Sequence, residues 1–143
     1  MAKIDSRHLI QAALRARKMA SAPYSRFQVG AALLTKKGEV IGGANVESAS
    51  YGLTCCAERV ALFKALTEGR REFAAIAIVA RVPGGPMPCG ACRQLLSEYA
   101  AGARVLVADS ARPARVAEYS VGELLPGAFL SFTRGKPKSS SKA

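Results

Sequence analysis

The first part of the chain has a helical pattern of apolar residues, followed by two short apolar runs. Apolar side chains recur on one face of a predicted helix that Ser6 caps and that ends near Ala20, namely Leu9, Ile10, Ala13 and Leu14. The sequence Pro23-Tyr24-Ser25 interrupts this pattern. Two strands are predicted next, at about 29–34 and 39–43, and a turn at 36–38 joins them into a hairpin.

The second part alternates predicted helices with predicted strands. Phe73–Ala80 is a continuous apolar run, which is typical of a strand buried on both faces of a sheet. Further elements are predicted in this part, namely helices at 56–68 and 89–100, strands at 105–108 and 115–119, and a last helical turn at 121–125. An opening hairpin followed by alternating helices and strands predicts a layered α/β domain with a mixed sheet.

The chain of 143 residues has the length of one ordinary domain. We assign residues 1–133 to this domain and expect residues 134–143, which are rich in Gly, Pro and Ser, to form a basic disordered tail. The longest apolar run has eight residues, whereas a membrane span needs roughly 20. The first residues lack the basic and apolar segments of a signal peptide, so we expect a cytoplasmic protein without a membrane partner.

The chain is strongly basic, with 21 Lys and Arg residues against 10 Asp and Glu residues and a formal net charge of +11. A polyanion partner would require clustered basic side chains. Four basic residues lie in the predicted tail, and without it 17 basic residues stand against 10 acidic ones, a net charge of +7. Aromatic residues do not alternate with these charges as they do on a single-strand binding surface. The pattern therefore favours a charge surplus that keeps the protein soluble over a nucleic-acid partner.

Cysteines at predicted helix starts are the main candidates for chemistry. Cys89 and Cys92 are three residues apart in the first turn of one predicted helix, and Cys56 begins another. The positive end of a helix dipole lowers thiol pKa values and favours thiolates. If the two helix starts face each other, three thiolates can surround one Zn²⁺ and leave a fourth position for water, as in catalytic zinc sites. The chain has one histidine, His8, which excludes most histidine-rich metal sites.

Two other interpretations of these cysteines remain open. Cys89 and Cys92 alone are also compatible with a redox pair or half of a structural zinc knuckle. Cys55 makes a four-cysteine site conceivable, although adjacent residues at a helix start point about 100° apart and are poorly placed to bind one ion together. Glu58, two residues after Cys56, favours a catalytic site, because a carboxylate beside the ion can act as a base toward bound water.

These residues resemble the signature of zinc nucleobase deaminases. That signature places a Cys or His two residues before a Glu, with Pro-Cys-x-x-Cys further along the chain, and here it corresponds to Cys56-Ala57-Glu58 and Pro88-Cys89-Gly90-Ala91-Cys92. The longer pattern, from about residue 10 to 129, is similar to the small homotetrameric cytidine deaminases. The segments that carry it are Phe27-Gln28-Val29-Gly30-Ala31-Ala32, Asn45-Val46-Glu47, Cys56-Ala57-Glu58-Arg59 and Leu124-Leu125-Pro126-Gly127-Ala128-Phe129.

The resemblance implies a role for each matching residue of the metal centre. Cys56, Cys89 and Cys92 correspond to the zinc ligands, with one Zn²⁺ per chain, and Glu58 corresponds to the catalytic acid and base. Arg59 corresponds to an arginine that bonds the ligand thiolates. Arg93, directly after Cys92, is a second candidate for that task, with an ordinary surface arginine as the alternative. Cys55 matches no role in the family and is better explained as a small buried or half-buried thiol.

The resemblance also implies the substrate contacts. Asn45 and Glu47 correspond to residues that bind the ribose, Phe27 to an aromatic against the pyrimidine, and Ala57 to a backbone contact with the base. Tyr51 corresponds to a residue that crosses a subunit boundary, and Phe129 to an aromatic that a neighbouring subunit donates. The implied assembly is a homotetramer with shared active sites, and the implied fold is a three-layer sandwich with a mixed, mostly five-stranded sheet and helices on both faces.

The function that follows is hydrolytic deamination of cytidine and 2′-deoxycytidine to the uridine nucleosides, with release of ammonia, in pyrimidine salvage. One alternative is the same chemistry on a cytosine-containing antibiotic or on a polynucleotide. The family members that act on blasticidin lack the glutamate that stands here as Glu47, and polynucleotide deaminases resemble a His-x-Glu pattern that His8 does not provide. A different class, a zinc-stabilised binding module without turnover, is the second alternative.

Overall fold

The chain forms one five-stranded sheet with helices on both of its faces. The computed structural model describes residues 4–131, and the predicted tail at 134–143 lies outside that range. The elements are α1 Ser6–Arg17, β1 Val29–Thr35, β2 Val40–Ala44, α2 Ala57–Thr67, β3 Phe73–Ala80, α3 Gly90–Tyr99, β4 Arg104–Asp109, β5 Val116–Ser120 and α4 Val121–Leu124, with a short 3₁₀ helix at Tyr51–Leu53. The predicted α/β architecture is confirmed.

The sheet is mixed, and its strand order is β2-β1-β3-β4-β5. The predicted hairpin forms the antiparallel pair of β1 and β2, and β1 is also antiparallel to β3. β3 and β4 are parallel, with α3 between them in the chain, as a parallel connection requires. β5 closes the sheet antiparallel to β4.

The central strand β3 is buried on both faces, as its continuous apolar sequence predicts. Ile76 and Ile78 belong to a core that also contains Ala61 and Leu62 of α2. Ala77 and its neighbours on the opposite face pack in a second core with the apolar side of α1. Full burial of one such large aliphatic side chain is worth roughly 1.5–3 kcal/mol. These two cores fix α1 on one face and α2, α3 and α4 on the other.

The start and end of α1 differ from the prediction. The carboxylate of Asp5, rather than Ser6, caps the helix by accepting a hydrogen bond from the backbone N–H of His8. Aspartate and serine are both common caps, so the sequence alone does not decide between neighbours. The helix ends at Arg17, three residues earlier than predicted, because a turn through Lys18 and Met19 follows it.

Close packing at Gly43 fixes the position of α2. A Cβ atom at this residue of β2 would lie 2.5 Å from the backbone nitrogen of Ala61 and 2.8 Å from the carbonyl oxygen of Ala57. Only a glycine lets the first turns of α2 approach the sheet this closely. Among the described residues, no helix combines the length and the apolar character needed to cross a membrane.

Candidate active site

Two helix starts bring the three predicted ligands together. Cys56 is the N-cap of α2 and Cys89 is the N-cap of α3. The carbonyls of these two residues accept the first hydrogen bonds of their helices, from Val60 and Arg93. Cys92 lies in the first turn of α3. Both helices therefore present their positive ends, with unpaired N–H groups, to the same cluster.

The sulfur positions fit a zinc ion. The Sγ atoms of Cys56, Cys89 and Cys92 all lie within 4.8 Å of one another. Cys56 and Cys89 are 3.7 Å apart, and Cys89 and Cys92 are 3.6 Å apart. Tetrahedral Zn²⁺ with Zn–S bonds of about 2.3 Å places its sulfur ligands roughly 3.8 Å apart. The donor set is the thiolate type that zinc prefers, and three ligands leave one coordination position for another group.

The thiols of Cys56 and Cys92 differ in their pKa values. A hydrogen bond from Cys92, assisted by Arg59, lowers the pKa of the Cys56 thiol to about 5. The same contact, together with burial, raises the pKa of the Cys92 thiol. Cys56 thus ionises readily, whereas Cys92 must lose its proton when a metal binds.

Glu58 lies in the first turn of α2, beside the cluster. It is one of four buried polar or charged residues in the described part of the chain, and its residue exposure is 6%. Burial raises the pKa of the Glu58 carboxyl, against a hydrogen bond from its own backbone N–H. A buried carboxylate without a basic partner in an ion pair is costly unless a function retains it. Its position is therefore the one expected of an acid and base at the metal.

Arg59 reaches back over the start of its own helix. Its Nη2 lies 3.5 Å from the Sγ of Cys56 and donates at 3.3 Å to the carbonyl of Thr54. The contact with the Cys56 sulfur raises the pKa of Arg59, so the guanidinium stays charged. A cation here would withdraw negative charge from the Cys56 sulfur and would make a metal ion held by the three thiolates more electrophilic.

Unlike Arg59, Arg93 makes no hydrogen bond to a sulfur among the described residues. Its Nε donates at 2.8 Å to the carbonyl of Pro88, and its Nη1 donates at 2.9 Å to the carbonyl of Leu124. The side chain thus extends from α3 toward backbone oxygens, because its helix position directs it to the loop before Cys89. Neither is it an ordinary surface arginine, since it ties that loop to the end of α4.

Cys55 lies outside the sulfur cluster. Its backbone N–H donates to the carbonyl of Val46 at 2.8 Å, and its carbonyl accepts from the N–H of Val46 at 3.0 Å. This isolated antiparallel bridge joins the loop after β2 to the start of α2. Burial raises the pKa of the Cys55 thiol, and its sulfur is not among the three that lie within 4.8 Å of one another.

Asn45 and Glu47, the predicted ribose contacts, are also hydrogen-bonded within the protein. The side chain of Asn45 donates to the carbonyl of Phe27 and accepts from the N–H of Val29, both at 2.8 Å. The carboxylate of Glu47 accepts from the N–H groups of Tyr24 at 3.0 Å and Ser25 at 3.1 Å, and from the Ser25 hydroxyl. The Ser25 hydroxyl and N–H hold the pKa of the Glu47 carboxyl below its ordinary value.

A cavity of about 240 Å³ contains some of the predicted substrate contacts. Glu47 and Tyr51 line it together with four other polar residues, Tyr24, Ser25, Ser48 and Thr54. Tyr51 lies in the short 3₁₀ helix and is 81% exposed. A second cavity, of about 400 Å³, lies between the start of α1 and the β1–β2 turn, and none of the predicted site residues line it.

The other predicted contacts lie in three separate parts of the chain. Ala57 is the first residue of α2 and is buried, so its backbone N–H is among those without an intrahelical partner. Phe27 is 40% exposed and is held through its carbonyl by Asn45. Phe129 is 57% exposed, and its carbonyl accepts a 2.6 Å hydrogen bond from Gln94 of α3.

Comparison with known proteins identifies the family. Residues 3–108 match the model of the cytidine and deoxycytidylate deaminase zinc-binding region. The chain belongs to this deaminase family. The predicted family, a deaminase as the enzyme class and zinc as its cofactor are thereby confirmed, and the cluster of three cysteines agrees with them.

Individual deaminases are similar over most of the chain. The cytidine deaminase of Halalkalibacterium halodurans is 55% identical over 127 residues, which cover 88% of this chain and 95% of that protein. The cytidine deaminase of Sporosarcina psychrophila is 44% identical over 126 residues, 88% of this chain and 92% of that protein. A crystal structure of cytidine deaminase from Burkholderia pseudomallei matches with a TM-score of 0.83 and 50% identity, over 88% of this chain and 100% of that one.

Sequence reasoning about the deaminase site missed Ser25 and Gln94. Tyr24 and Ser25 were interpreted only as part of a helix-breaking segment. A serine two residues before Phe27 is, however, a signal for a turn in which the hydroxyl accepts a backbone N–H, and Ser25 accepts from Phe27 at 3.0 Å. The contact of Gln94 with Phe129 spans 35 residues, and no local pattern predicts it.

Proposed function

We propose that the chain catalyses hydrolysis of cytidine and 2′-deoxycytidine to uridine and 2′-deoxyuridine, with release of ammonia, in cytoplasmic pyrimidine salvage. The observation that carries this proposal is the buried carboxyl group of Glu58, in the first turn of α2 two residues after Cys56 and near the sulfurs of Cys56 and Cys92. The identity of the chain to named cytidine deaminases supports the nucleoside substrate.

We assign Zn²⁺ to Cys56, Cys89 and Cys92. When bound, zinc lowers the pKa of water and thereby supplies a nucleophile at neutral pH. Arg59 moderates the charge of the Cys56 sulfur. Backbone N–H groups at the two helix starts add further positive potential. These features keep an electron-rich thiolate site able to polarise water.

Glu58 moves the protons of the reaction. It takes a proton from the attacking water and passes it to the ring nitrogen next to the reacting carbon. After the water oxygen has bonded to that carbon, Glu58 takes the second proton from this oxygen and delivers it to the amine. The C–N bond then breaks and the carbonyl of uridine forms, so one water is consumed and one ammonia is released. A single carboxylate that acts alternately as base and acid must be close to both groups and shielded from bulk water, and the burial of Glu58 provides that shielding.

Contacts to the sugar and to the pyrimidine ring select the substrate. In this assignment Asn45 and Glu47 accept the ribose hydroxyls, Phe27 packs on the pyrimidine, and the backbone of Ala57 contacts the base. A site that hydrogen-bonds a hydroxyl discriminates against an analogue that lacks it, because the analogue cannot form that hydrogen bond. Free cytosine is therefore expected to be a poor substrate, and a 3′-phosphate in single-stranded DNA would meet the carboxylate of Glu47.

We also propose a homotetramer in which a neighbouring subunit completes each site. Tyr51 and Leu53 of the 3₁₀ helix are 81% and 74% exposed, and Phe129 and Leu130 are 57% and 56% exposed. Neighbouring exposed apolar side chains of this kind are available to contact another subunit, as a shared site requires.

The decisive test is the ultraviolet change on conversion of cytidine to uridine, together with ammonia release, by the purified protein. We expect turnover of cytidine and 2′-deoxycytidine, loss of turnover after zinc chelation and recovery when zinc is restored. Cytosine and a deoxycytidine-containing oligonucleotide are the matched poor substrates. No ammonia from any of these compounds would contradict the proposal and favour a binding module, whereas turnover of the oligonucleotide at the nucleoside rate would favour a polynucleotide substrate.

A further inference from the structure

The turn at residues 24–27 is folded around the carboxylate of Glu47. Oε1 of Glu47 accepts two consecutive backbone N–H groups, from Tyr24 and Ser25, and Oε2 accepts the hydroxyl of Ser25. A carboxylate has about four acceptor positions, so these three donors leave roughly one for a ligand. The orientation of that remaining position depends on the donors that hold the other three.

The hydroxyl of Ser25 joins Glu47 to Phe27. Its oxygen accepts the backbone N–H of Phe27 at 3.0 Å. Because an N–H group can only donate, the single hydroxyl proton of Ser25 is available for the Glu47 carboxylate, which can only accept when ionised. One hydroxyl therefore bridges the carboxylate assigned to the sugar and the residue assigned to the pyrimidine ring.

Two further features fix the conformation of this turn. Arg26, between Ser25 and Phe27, has a φ of 59°. This left-handed conformation is uncommon for a residue with a side chain. Asn45 holds the far end of the turn through the carbonyl of Phe27 and the N–H of Val29. The turn is thus fixed at both ends by side chains of the segment after β2, and the Ser25 hydroxyl links the Glu47 carboxylate to the backbone of Phe27.

We propose that Ser25 is a positioning residue for the nucleoside, which fixes the Glu47 carboxylate and Phe27 in one arrangement. This inference rests on the proposed function, because it gives the sugar and ring contacts to Glu47 and Phe27. Ser25 has no contact with the sulfur cluster among its described hydrogen bonds. Its effect therefore falls on substrate binding and not on proton transfer by Glu58.

The test compares Ser25→Ala with Ser25→Thr and with a matched control, Ser110→Ala. Ser110 lies after β4, and its described hydrogen bond uses its backbone N–H. We expect Ser25→Ala to raise the KM for cytidine about tenfold with kcat within about twofold, since a hydrogen bond to a charged group is lost. Ser25→Thr should restore most of the KM, because threonine keeps the hydroxyl, and Ser110→Ala should leave both constants unchanged.

A double-mutant cycle with Glu47→Gln shows whether Ser25 acts through Glu47. We expect the effect of Ser25→Ala on KM to shrink to about twofold in the Glu47→Gln background, because the partner of the hydroxyl is changed. Equal effects in both backgrounds, or a loss of kcat at constant KM, would overturn the proposal.

A measurement independent of turnover separates this proposal from the proposed function. The carboxyl carbon resonance of Glu47, titrated by NMR in the zinc-loaded protein, should show a higher pKa in Ser25→Ala than in Ser110→Ala. The titrating neighbours to be assigned alongside it are Tyr24 and Tyr51, which line the same cavity. An unchanged pKa would overturn the Ser25 proposal even if cytidine is turned over. A raised pKa in a protein that does not turn over cytidine would refute the proposed function and the nucleoside role of Ser25, while the hydrogen bond itself would stand.

Discussion

Glu58 is the residue on which the proposed chemistry depends most directly. We expect Glu58→Gln to fold and to retain zinc, because glutamine has nearly the same shape and the sulfur ligands are unchanged. Turnover should fall by at least about 10² to 10⁴, the usual contribution of one general acid or base, since the amide cannot cycle a proton. The measurements are kcat for cytidine and zinc content per chain. A variant within tenfold of the parent would exclude Glu58 from the mechanism.

The adjacent cysteines provide a matched pair for the ligand assignment. Cys56→Ala removes a sulfur from the cluster, so zinc content and activity should both be lost. Cys55→Ala removes a thiol that lies outside the cluster and whose backbone makes the bridge to Val46, so both properties should be retained. Metal analysis of the two purified variants distinguishes these outcomes. Equal zinc loss in both would show that the assignment is wrong.

At the scale of residues, the sequence predicts contacts between residues that are near each other in the chain better than contacts between residues that are far apart in it. The spacing of Cys89 and Cys92 and the nearness of Cys56 to Glu58 are local. The structure brings the three sulfurs into one cluster and buries Glu58 near it. The contacts of Arg93 depend on where its side chain lies relative to α4 and to the loop before Cys89. That relation is set by tertiary packing, so the sequence left the role of Arg93 open.

At the scale of elements, α3 connects the metal site to the segment after α4. Arg93 bonds the carbonyls of Pro88 and Leu124, and Gln94 bonds the carbonyl of Phe129. Two successive residues of one helix thus hold both ends of the segment 124–129. The helix that carries Cys89 and Cys92 therefore also sets the position of Phe129.

This arrangement predicts a structural effect of Arg93→Ala. The loss of two charge-assisted hydrogen bonds should lower the free energy of unfolding by roughly 2 kcal/mol and Tm by roughly 5 °C. Zinc content at room temperature should be unchanged, because Arg93 donates to carbonyl oxygens and not to sulfur. Thermal unfolding of the Arg93→Ala variant measures this loss of stability. The control is Arg112→Ala, which removes an exposed arginine. Loss of zinc without loss of Tm would instead support a direct effect on the thiolates.

The elements themselves were largely predictable, and the errors have local causes. β3 was predicted at its observed bounds because both faces are apolar. Each of the two metal-site helices begins one residue later than predicted, since Cys56 and Cys89 are extended N-caps rather than helical residues. The 3₁₀ helix at Tyr51–Leu53 was not predicted. Its three residues are exposed, so it has no apolar periodicity to detect.

At the scale of the whole molecule, the proposed assembly makes each site depend on a neighbour. The pairing of strands into one sheet with two cores follows from the apolar pattern of each strand, but a surface that meets another subunit has no such internal pattern. The expectation of a homotetramer comes from the resemblance to homotetrameric deaminases. The exposure of Tyr51, Leu53, Phe129 and Leu130 supports it. The basic tail at 134–143, with four positive charges and few apolar residues, is not expected to take part.

Two variants test this dependence. Phe129→Ala should raise the KM for cytidine about tenfold or more, because burial of an aromatic side chain against the substrate is worth roughly 1.5–3 kcal/mol. Truncation after Arg134 should leave turnover and the oligomer unchanged, which makes it the control for an effect of the carboxyl-terminal region in general. Sedimentation equilibrium across the concentration range of the assay measures the assembly directly. A fully active monomer would contradict the shared site and leave the metal chemistry intact, since Cys56, Cys89, Cys92 and Glu58 all belong to one chain.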